Sequence, residues 1–269
     1  MHDGNHVAFT SNKLISKIAG YTLELTFSSS VVYRRSHDFG HHGCANHYEL
    51  DRSFDTTFPL IRLHRMQPKL WFHKYQQIYV WFVYGLTNFG DLFGTFDEIY
   101  WMSNFPSRQG FCSNFQVFSQ AIIKMIWFIT LIIIPTYLHG YLWAFPIWML
   151  YMVIFSYSYA LFFAVNHWTD EANFTDNSNI NNTDWGIMQI QNSCNFALDS
   201  TFWSHICGGL NFQIEHHLAP GYSHTRLFEI SQVVQEYCKQ NNVKYVTYNT
   251  FWDALKGHYN LLKKLGESE

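Results

Sequence analysis

A long apolar tract near the middle of the chain constrains its fold more than any other feature. The tract runs from Ala121 to Val165 and is interrupted once, by the sequence Leu138-His139-Gly140-Tyr141. Each half has about the 20 residues that a helix needs to cross a hydrocarbon core of about 30 Å. Apolar and aromatic side chains lie on every face of both halves. The tract predicts a transmembrane helical hairpin, and the alternative is a pair of buried helices in a soluble protein.

The distribution of charge favours the membrane interpretation. Of the 269 residues, 48% are hydrophobic and only 14% are charged, against about 25% charged in a typical soluble domain. No Lys or Arg occurs between Met125 and Thr225, so the positive-inside rule places the flanking segments in the cytosol. We expect an all-α integral membrane protein with a single domain over 1–269. Its parts are cytosolic or interfacial at 1–120, the hairpin at 121–165, and a cytosolic helical cap at 166–269.

Shorter elements are indicated on either side of the hairpin. Residues 7–36 have a mixed apolar spacing that suits a partly buried helix. The apolar residues 78–86 are too few to cross a bilayer. In the cap, residues after Thr225 recur at helical spacing, and they are followed by a strand-like Lys244–Tyr248 and a last helix that ends near Lys264.

Charge and cysteine content exclude other classes of protein. The net charge of -3 and the lack of basic runs give no support to a nucleic-acid partner. The five cysteines are odd in number, widely scattered and form no Cys-x-x-Cys pair, so neither a disulfide framework nor a zinc knuckle is indicated. The composition fits a reducing environment that faces the cytosol.

Three histidine clusters predict a metal site. They hold seven of the 15 histidines: His2 and His6 in the first cluster, His37, His41 and His42 in the second, and His216 and His217, preceded by Gln213, in the third. On a helix, residues four apart share a face, so His37 and His41 pair while His42 is turned slightly aside. Chance spacing is the alternative for any one cluster. Sites rich in imidazole and poor in thiolate suit iron, copper, zinc or nickel.

These clusters resemble the histidine boxes of the membrane fatty acid desaturases. Gln213 stands where many members have a leading histidine, which is similar to the front-end subgroup of that family. Three further stretches also resemble it: Trp71–Gln76 (WFHKYQ), Gly208–Phe212 (GGLNF) and Phe251–Leu255 (FWDAL). The resemblance covers nearly the whole chain.

The resemblance implies a di-iron site in the cytosolic cap. Its expected ligands are His2, His6, His37, His41, His42, His216 and His217, with His167 as an eighth histidine and Gln213 as a ligand or orienting group. Asp3, Asp38 and Glu215 are candidates to orient ligand histidines. His47, His64, His73, His139, His205, His224 and His258 are expected to be structural.

The same resemblance implies a reaction, a substrate and partners. Two irons, reduced by electrons from cytochrome b5 and its reductase, would use dioxygen to desaturate a fatty acyl chain carried as an acyl-lipid or acyl-CoA. The new cis double bond would lie between an existing one and the carboxyl end. The expected location is the endoplasmic reticulum membrane, with the active site facing the cytosol.

Two departures from the family leave alternatives open. Members usually have helices before the first box, and front-end members usually carry a fused cytochrome b5 domain with a His-Pro-Gly-Gly motif, whereas here Met1 directly precedes His2. We therefore expect an amino-terminally truncated member. The second box also has one more residue between its first two histidines than many front-end members. A lipid hydroxylase and an inactive desaturase remnant remain alternatives, and a metal carrier is disfavoured because only His139 lies between the two spans.

Overall fold

The computed structural model describes residues 1–90, 114–177 and 184–268, and helices dominate this part of the chain. We number the helices α1 His2–Asn5, α2 Lys13–Gly20, α3 Ser30–Tyr33, α4 Ser53–Thr57, α5 Gln76–Tyr84, α6 Asn114–Phe128, α7 Ile134–His139, α8 Tyr141–His167, α9 Trp185–Gln191, α10 Thr201–Ile206, α11 Gln213–Leu218, α12 Leu227–Asn241 and α13 Phe251–Glu267. Short 3₁₀ turns lie at Tyr21–Thr26, His73–Tyr75 and His224–Arg226, and π-helical segments at Arg34–His41 and Ile129–Ile133. Two-residue strands are β1 Asn195–Phe196 and β2 Thr247–Tyr248. The helical fold is confirmed.

The chain forms two compact units. Unit 1 consists of Met1–Arg35 and Tyr84–Tyr159, and unit 2 consists of Ser36–Val83 and Ala160–Glu269. These units are defined by contacts within the structure, whereas the three parts expected from the sequence (1–120, 121–165 and 166–269) are defined by their position relative to a membrane. That expected division of a single domain stays a prediction.

Two long apolar helices correspond to the predicted hairpin. Both are long and apolar enough to cross a membrane, and few of their side chains are buried. The first, Phe118–His139, contains most of α6, the π-helical segment Ile129–Ile133 and α7, and the second, Tyr141–His167, is α8. Gly140 separates them with a φ of +78°, a conformation that glycine adopts without steric cost. Insertion of this pair into a bilayer remains a proposal.

In unit 1, the apolar helices use their few polar side chains to hold the segment before α3. Ser29 Oγ donates a 2.6 Å hydrogen bond to Gln120 Oε1. Lys124 Nζ lies 3.3 Å from Glu24 Oε2, and Tyr151 OH donates to the Leu25 carbonyl at 2.6 Å. Polar groups on a spanning helix are costly without such partners. These contacts fix residues 24–30 against both long helices.

The helix expected at 7–36 is broken into several pieces. Asn12 caps α2 by accepting from the backbone N–H groups of Leu14 and Ile15. Phe27 then adopts a φ of +65°, which ends the following 3₁₀ turn. A left-handed residue cannot continue a right-handed helix, so α3 starts afresh at Ser30, with Ser29 as its cap.

Unit 2 has an apolar core beneath its short parallel sheet. The core cluster includes Val165, Phe196, Phe251 and Ala254. Asn195 pairs with Thr247 and Phe196 with Tyr248, so the predicted strand at 244–248 is confirmed only over its last two residues. A capping box at Thr250 starts α13.

The end of α13 is held by a buried arginine. Arg62 is 1% exposed, and its Nη1 donates to the carbonyls of Leu265 at 2.7 Å and Ser268 at 3.0 Å. A cation is favourable at a helix C-terminus, where carbonyls lack helical partners. The carboxyl end of the chain is thereby fixed to the segment that follows the second histidine cluster.

Candidate metal centre

The second histidine cluster lies on a π-helix, which changes the expected pairing. The backbone N–H of His42 donates to the carbonyl of His37 at 2.9 Å, a five-residue step typical of a π turn. Residues five apart then share a side, and the Nε2 atoms of His37 and His42 are 3.1 Å apart. The expectation that His42 is turned aside was wrong because it assumed an α-helix.

His41, His167 and His217 converge on one point in unit 2. They come from the π-helix, the end of α8 and α11. The Nε2 atoms of His41 and His217 each lie 3.2 Å from His167 Nε2. All three imidazoles are almost completely buried. We call them the first trio.

The spacing of the first trio fits a metal ion. Ligand nitrogens about 2.1 Å from one ion are separated by about 3.0–3.4 Å at neighbouring coordination positions. An imidazole nitrogen has one lone pair or one proton, yet His167 Nε2 faces two other imidazole nitrogens at 3.2 Å, besides the amide Nε2 of Gln213, which can only donate, at 2.9 Å. Hydrogen bonds cannot satisfy that arrangement, whereas a cation at the point of convergence accepts several lone pairs at once.

Gln213 is held beside the first trio. Its Oε1 accepts from Asn166 Nδ2 at 3.1 Å, and Asn166 Nδ2 also donates to the Leu210 carbonyl at 2.8 Å. The residue before His167 therefore orients the amide at the start of α11. Because its amide Nε2 faces His167, Gln213 is positioned as a hydrogen-bond donor beside the trio. Its role as a ligand stays a prediction.

His37, His42 and His216 form a second group, which we call the second trio. The His42 ring centroid lies 4.6 Å from that of His216, and the His37 and His216 centroids are 6.3 Å apart. The rings of His42 and His217 stack at 4.3 Å and connect the two trios. Unit 2 thus gathers six imidazoles in two adjacent groups, a donor set that fits a pair of nitrogen-preferring ions.

The first histidine cluster belongs to unit 1. His2 lies on α1 and His6 directly after it, with ring centroids 4.8 Å apart in an edge-to-face arrangement. His2 Nδ1 lies 3.6 Å from an oxygen of Asp3. The roles of His2 and His6 as ligands, and those of Asp3 and Asp38 as orienting groups, stay predictions.

Asp51 orients His41, and the sequence analysis did not single it out for that role. Its Oδ2 lies 2.8 Å from His41 Nδ1, and its two oxygens accept from the backbone N–H groups of Asn46 at 2.9 Å and Ser53 at 3.0 Å. Burial alone would raise the pKa of this carboxyl, but His41 and the hydrogen bonds outweigh burial and hold the pKa below its usual value. With Nδ1–H donating to Asp51, the Nε2 lone pair of His41 faces the trio.

His217 has a neutral partner in the corresponding place. Its Nδ1 lies 2.9 Å from Gln189 Oε1, an oxygen that accepts only, so Nδ1 carries the proton. Burial, followed by the neighbouring His42 and other imidazoles, holds the pKa of His217 well below its usual value. The neutral imidazole is the form that binds metal. Gln189 was also missed, because it is 28 positions from His217.

Glu215 has a different role from the one expected. Its two oxygens accept from Asn195 Nδ2 and Tyr245 OH, both at 2.8 Å. Asn195 Oδ1 in turn accepts from the backbone N–H of Ile214 at 2.9 Å. Burial raises the pKa of Glu215. These contacts anchor α11 to β1 and place its histidines indirectly.

Several other histidines make the structural contacts expected of them. The Nδ1–H of His258 donates to the carbonyl of Trp168 at 2.6 Å, and a ring N–H of His73 to the carbonyl of Pro59 at 2.8 Å. His205 bonds within its own helix. None of these three belongs to either trio.

The family model for fatty acid desaturases matches residues 1–249 of this chain. The chain belongs to the fatty acid desaturase family. The family assignment made from the histidine boxes is thereby confirmed, and the curated relatives below are of the front-end type.

Three curated relatives are similar to this chain over almost its whole length. An acyl-lipid (8-3)-desaturase of Physcomitrium patens is 32% identical over 275 residues, which cover 100% of this chain and 57% of that protein. A chloroplastic acyl-lipid (7-3)-desaturase of Chlamydomonas reinhardtii is 29% identical, over 98% of this chain and 52% of the relative. An sn-1 linoleoyl-lipid 6-desaturase of Synechocystis is 26% identical, over 99% of this chain and 76% of the relative.

The chain spans little more than half the length of the first two relatives. No solved structure matches it. The geometry of the candidate metal centre is therefore argued from this chain's own residues.

Proposed function

We propose that this desaturase-family chain carries out oxygen-dependent desaturation of a fatty acyl chain. The observation that carries the proposal is the convergence of His41, His167 and His217 in a chain of this family. The new cis double bond lies between an existing double bond and the carboxyl end, a proposal supported by the names of the relatives. The acyl chain is carried by a lipid or by CoA.

Two iron ions are the proposed metals, one at each trio. The histidines His2 and His6 enter this ligand set from the family pattern. When bound, the irons supply the oxidising chemistry that removes hydrogen from unactivated methylenes, with dioxygen as the oxidant and electrons from cytochrome b5 and its reductase.

The chain's own residues prepare the centre for such ions. Asp51 and Gln189 hold the Nδ1 protons of His41 and His217, so both Nε2 lone pairs face inward. Burial keeps His217 neutral, since it disfavours the imidazolium. Asn166 fixes the amide of Gln213 at the edge of the first trio. The imidazoles therefore do not have to reorient or lose protons when a metal binds.

The two apolar helices are the proposed membrane hairpin. Their length and their exposed apolar side chains support this placement, and the distribution of basic residues supports a cytosolic location for the segments on both sides. We propose that the protein resides in the endoplasmic reticulum membrane, with the metal centre facing the cytosol.

Iron content and product analysis test this function together. The chain is expressed with cytochrome b5 in a host fed an unsaturated fatty acid, beside the variant His216→Ala/His217→Ala and the control His205→Ala, whose side chain lies outside both trios. We expect about two irons per chain and a newly desaturated acid for the parent and the control. The double variant should lose both.

Other outcomes decide between the alternatives. A hydroxylated product would identify a lipid hydroxylase, and bound iron without any product would identify an inactive remnant. Stoichiometric iron in the double variant would refute the assignment of the histidine ligands.

A further inference from the structure

Helix α2 presents its apolar side outward, which is the reverse of an ordinary surface helix. Leu14 and Ile18 are 67% and 61% exposed, and Ile15 beside them is also exposed. Ser16 is fully buried and Gly20 is buried as well. Residues two apart on a helix point about 200° apart, so the buried small residues lie opposite the exposed apolar ones. Burying the leucine and isoleucines would require the helix to roll over.

Specific contacts on the buried side prevent such a roll. The backbones of α1 and α2 approach so closely at Gly4 and Gly20 that a Cβ on Gly4 would overlap the backbone of Gly20. The carbonyl of Gly20 accepts from Asn5 Nδ2 at 3.3 Å and from Ser30 Oγ at 3.0 Å. Ser16 Oγ donates to the Thr10 carbonyl at 3.0 Å. These contacts therefore hold the apolar stripe of Leu14, Ile15 and Ile18 on the side of α2 that faces away from the rest of unit 1.

The position of α2 along the apolar helices is also defined within unit 1. Glu24, four residues after the end of α2, contacts Lys124. Lys124 lies six residues into the apolar helix that begins at Phe118, or about 9 Å at 1.5 Å per residue. Helix α2 thus lies close to the end of the first apolar helix at Phe118, where its membrane-spanning length would begin.

Two lysines beside the apolar stripe indicate which kind of surface covers it. Lys13 and Lys17 are exposed, one turn apart and next to Leu14 around the helix. Lysines at the border of an apolar stripe extend towards lipid phosphates while the stripe enters the acyl boundary. A water-exposed stripe of three large aliphatic side chains has no comparable compensation.

We propose that α2 is an interfacial helix that lies on an anionic bilayer surface. Leu14, Ile15 and Ile18 insert at the boundary between head groups and acyl chains, and Lys13 and Lys17 bind lipid phosphates. Because α1 packs on α2, this contact sets the depth of His2 and His6 relative to the membrane. The proposal rests on the membrane placement given above, but not on catalysis.

Labelling from the lipid and water phases tests this directly, without substitution of any residue. The full chain is reconstituted in nanodiscs that contain or lack phosphatidylserine. It is then labelled with a lipid-soluble carbene probe or with hydroxyl radicals, and the sites are read by mass spectrometry. We expect carbene labelling at Leu14 and Ile18 and protection there from hydroxyl radicals. Val233, which is 70% exposed on α12, should show the reverse.

Each contrary outcome has one meaning. Radical labelling at Leu14 and Ile18 would show that water covers the stripe, and low labelling by both reagents would show that protein covers it; either result overturns the proposal. Ile147, which is 65% exposed on α8, reports on the hairpin. If Ile147 is not carbene-labelled, the membrane placement itself has failed, whereas labelling of Ile147 without Ile18 rejects only the interfacial helix.

A charge variant tests the choice of anionic lipid. In Lys13→Gln/Lys17→Gln, the enhancement of carbene labelling at Ile18 by phosphatidylserine should fall by about threefold or more, since each lysine near an anionic surface adds attraction. The matched control Lys239→Gln/Lys263→Gln removes two exposed lysines of unit 2 and should leave it unchanged. Equal loss in both variants would mean that net charge, rather than α2, recruits the anionic lipid.

Discussion

The two units bury polar groups in opposite ways. In unit 1, the carboxylate of Glu24 faces the ammonium of Lys124, and its other oxygen accepts from the backbone N–H of Ser30 at 2.8 Å. In unit 2, the nitrogens of His41, His167 and His217 face one another. The first arrangement is complementary as it stands. The second becomes complementary only when a cation is added, which distinguishes a structural polar contact from a binding site.

Breaking the pair in unit 1 should give the largest change in stability. Lys124→Met leaves the carboxyl of Glu24 without its cation, and we expect a loss of about 3–5 kcal/mol in the free energy of unfolding. Denaturant titration of the reconstituted chain measures this loss. The double variant Glu24→Leu/Lys124→Met should recover most of it, because no buried charge remains. A double variant as unstable as the single one would contradict the idea that this contact is a closed, compensated pair.

A pH titration tests a buried histidine, His258, that belongs neither to the Glu24–Lys124 pair nor to the metal centre. Burial lowers the pKa of His258 to about 4, against about 6.5 in an unfolded chain. The folded state therefore favours the neutral ring, and its contribution to stability is present above pH 6.5 and is lost as the pH falls towards 4. The loss at pH 4 is at most about 3 kcal/mol for a shift of this size.

The variant His258→Asn isolates this contribution. Its stability should fall less than that of the parent chain between pH 6.5 and 4, measured by denaturant titration at each pH. Parallel curves for the two proteins would show that His258 does not titrate with unfolding. Loss of bound metal at low pH would also change stability. Metal-free samples of the parent chain and of His258→Asn are therefore compared, so that the difference between them reports on His258.

The next largest effect is expected from Asp51, the carboxylate that orients His41 in the metal centre. Asp51→Asn keeps the shape of the side chain but removes its charge, and we expect metal affinity to fall by about 10–100-fold. Competition with a chelator, using cobalt as a spectroscopic substitute, measures both the affinity and the ligand field. A variant Asp51→Glu restores the charge and should recover part of the affinity. Unchanged cobalt binding and spectrum in Asp51→Asn would show that Asp51 serves only the loop after the second cluster.

The sequence predicted the main elements because they depend on local pattern. The apolar tract at 121–165 falls within the two long helices, and His167 lies at the end of the second one, where the family pattern placed it. The π-helix at Arg34–His41 was not predictable from spacing, because a hydrogen bond that spans five residues instead of four leaves no signature in the six-residue motif His37–His42. The assumption of 3.6 residues per turn therefore assigned His42 to the wrong side.

Partners of the site residues were missed for a different reason. Gln189 reaches His217 because α9 packs directly against α11. Amides of distant residues hold the neighbouring segments: Asn46 Nδ2 donates to the His167 carbonyl at 2.6 Å, and Asn192 Nδ2 to the Ala45 carbonyl at 2.7 Å. Similarly, Lys124 and Glu24 are 100 positions apart. Pairings of this kind depend on the assembled tertiary structure, which short sequence patterns do not encode.

The neutral partner of His217 gives the smallest expected effect and the finest comparison. Gln189→Leu removes the acceptor for the His217 Nδ1 proton, and we expect less than about a tenfold loss of metal affinity, because a neutral hydrogen bond contributes about half as much as a charged one. Gln189→Glu instead places a carboxylate where Gln189 stands and should strengthen cobalt binding, since His217 then resembles His41. The same chelator competition measures both variants. If Gln189→Glu weakens binding, the centre requires a neutral hydrogen-bond partner at His217. Metal binding would then depend on one charged partner, at His41, and one uncharged partner, at His217.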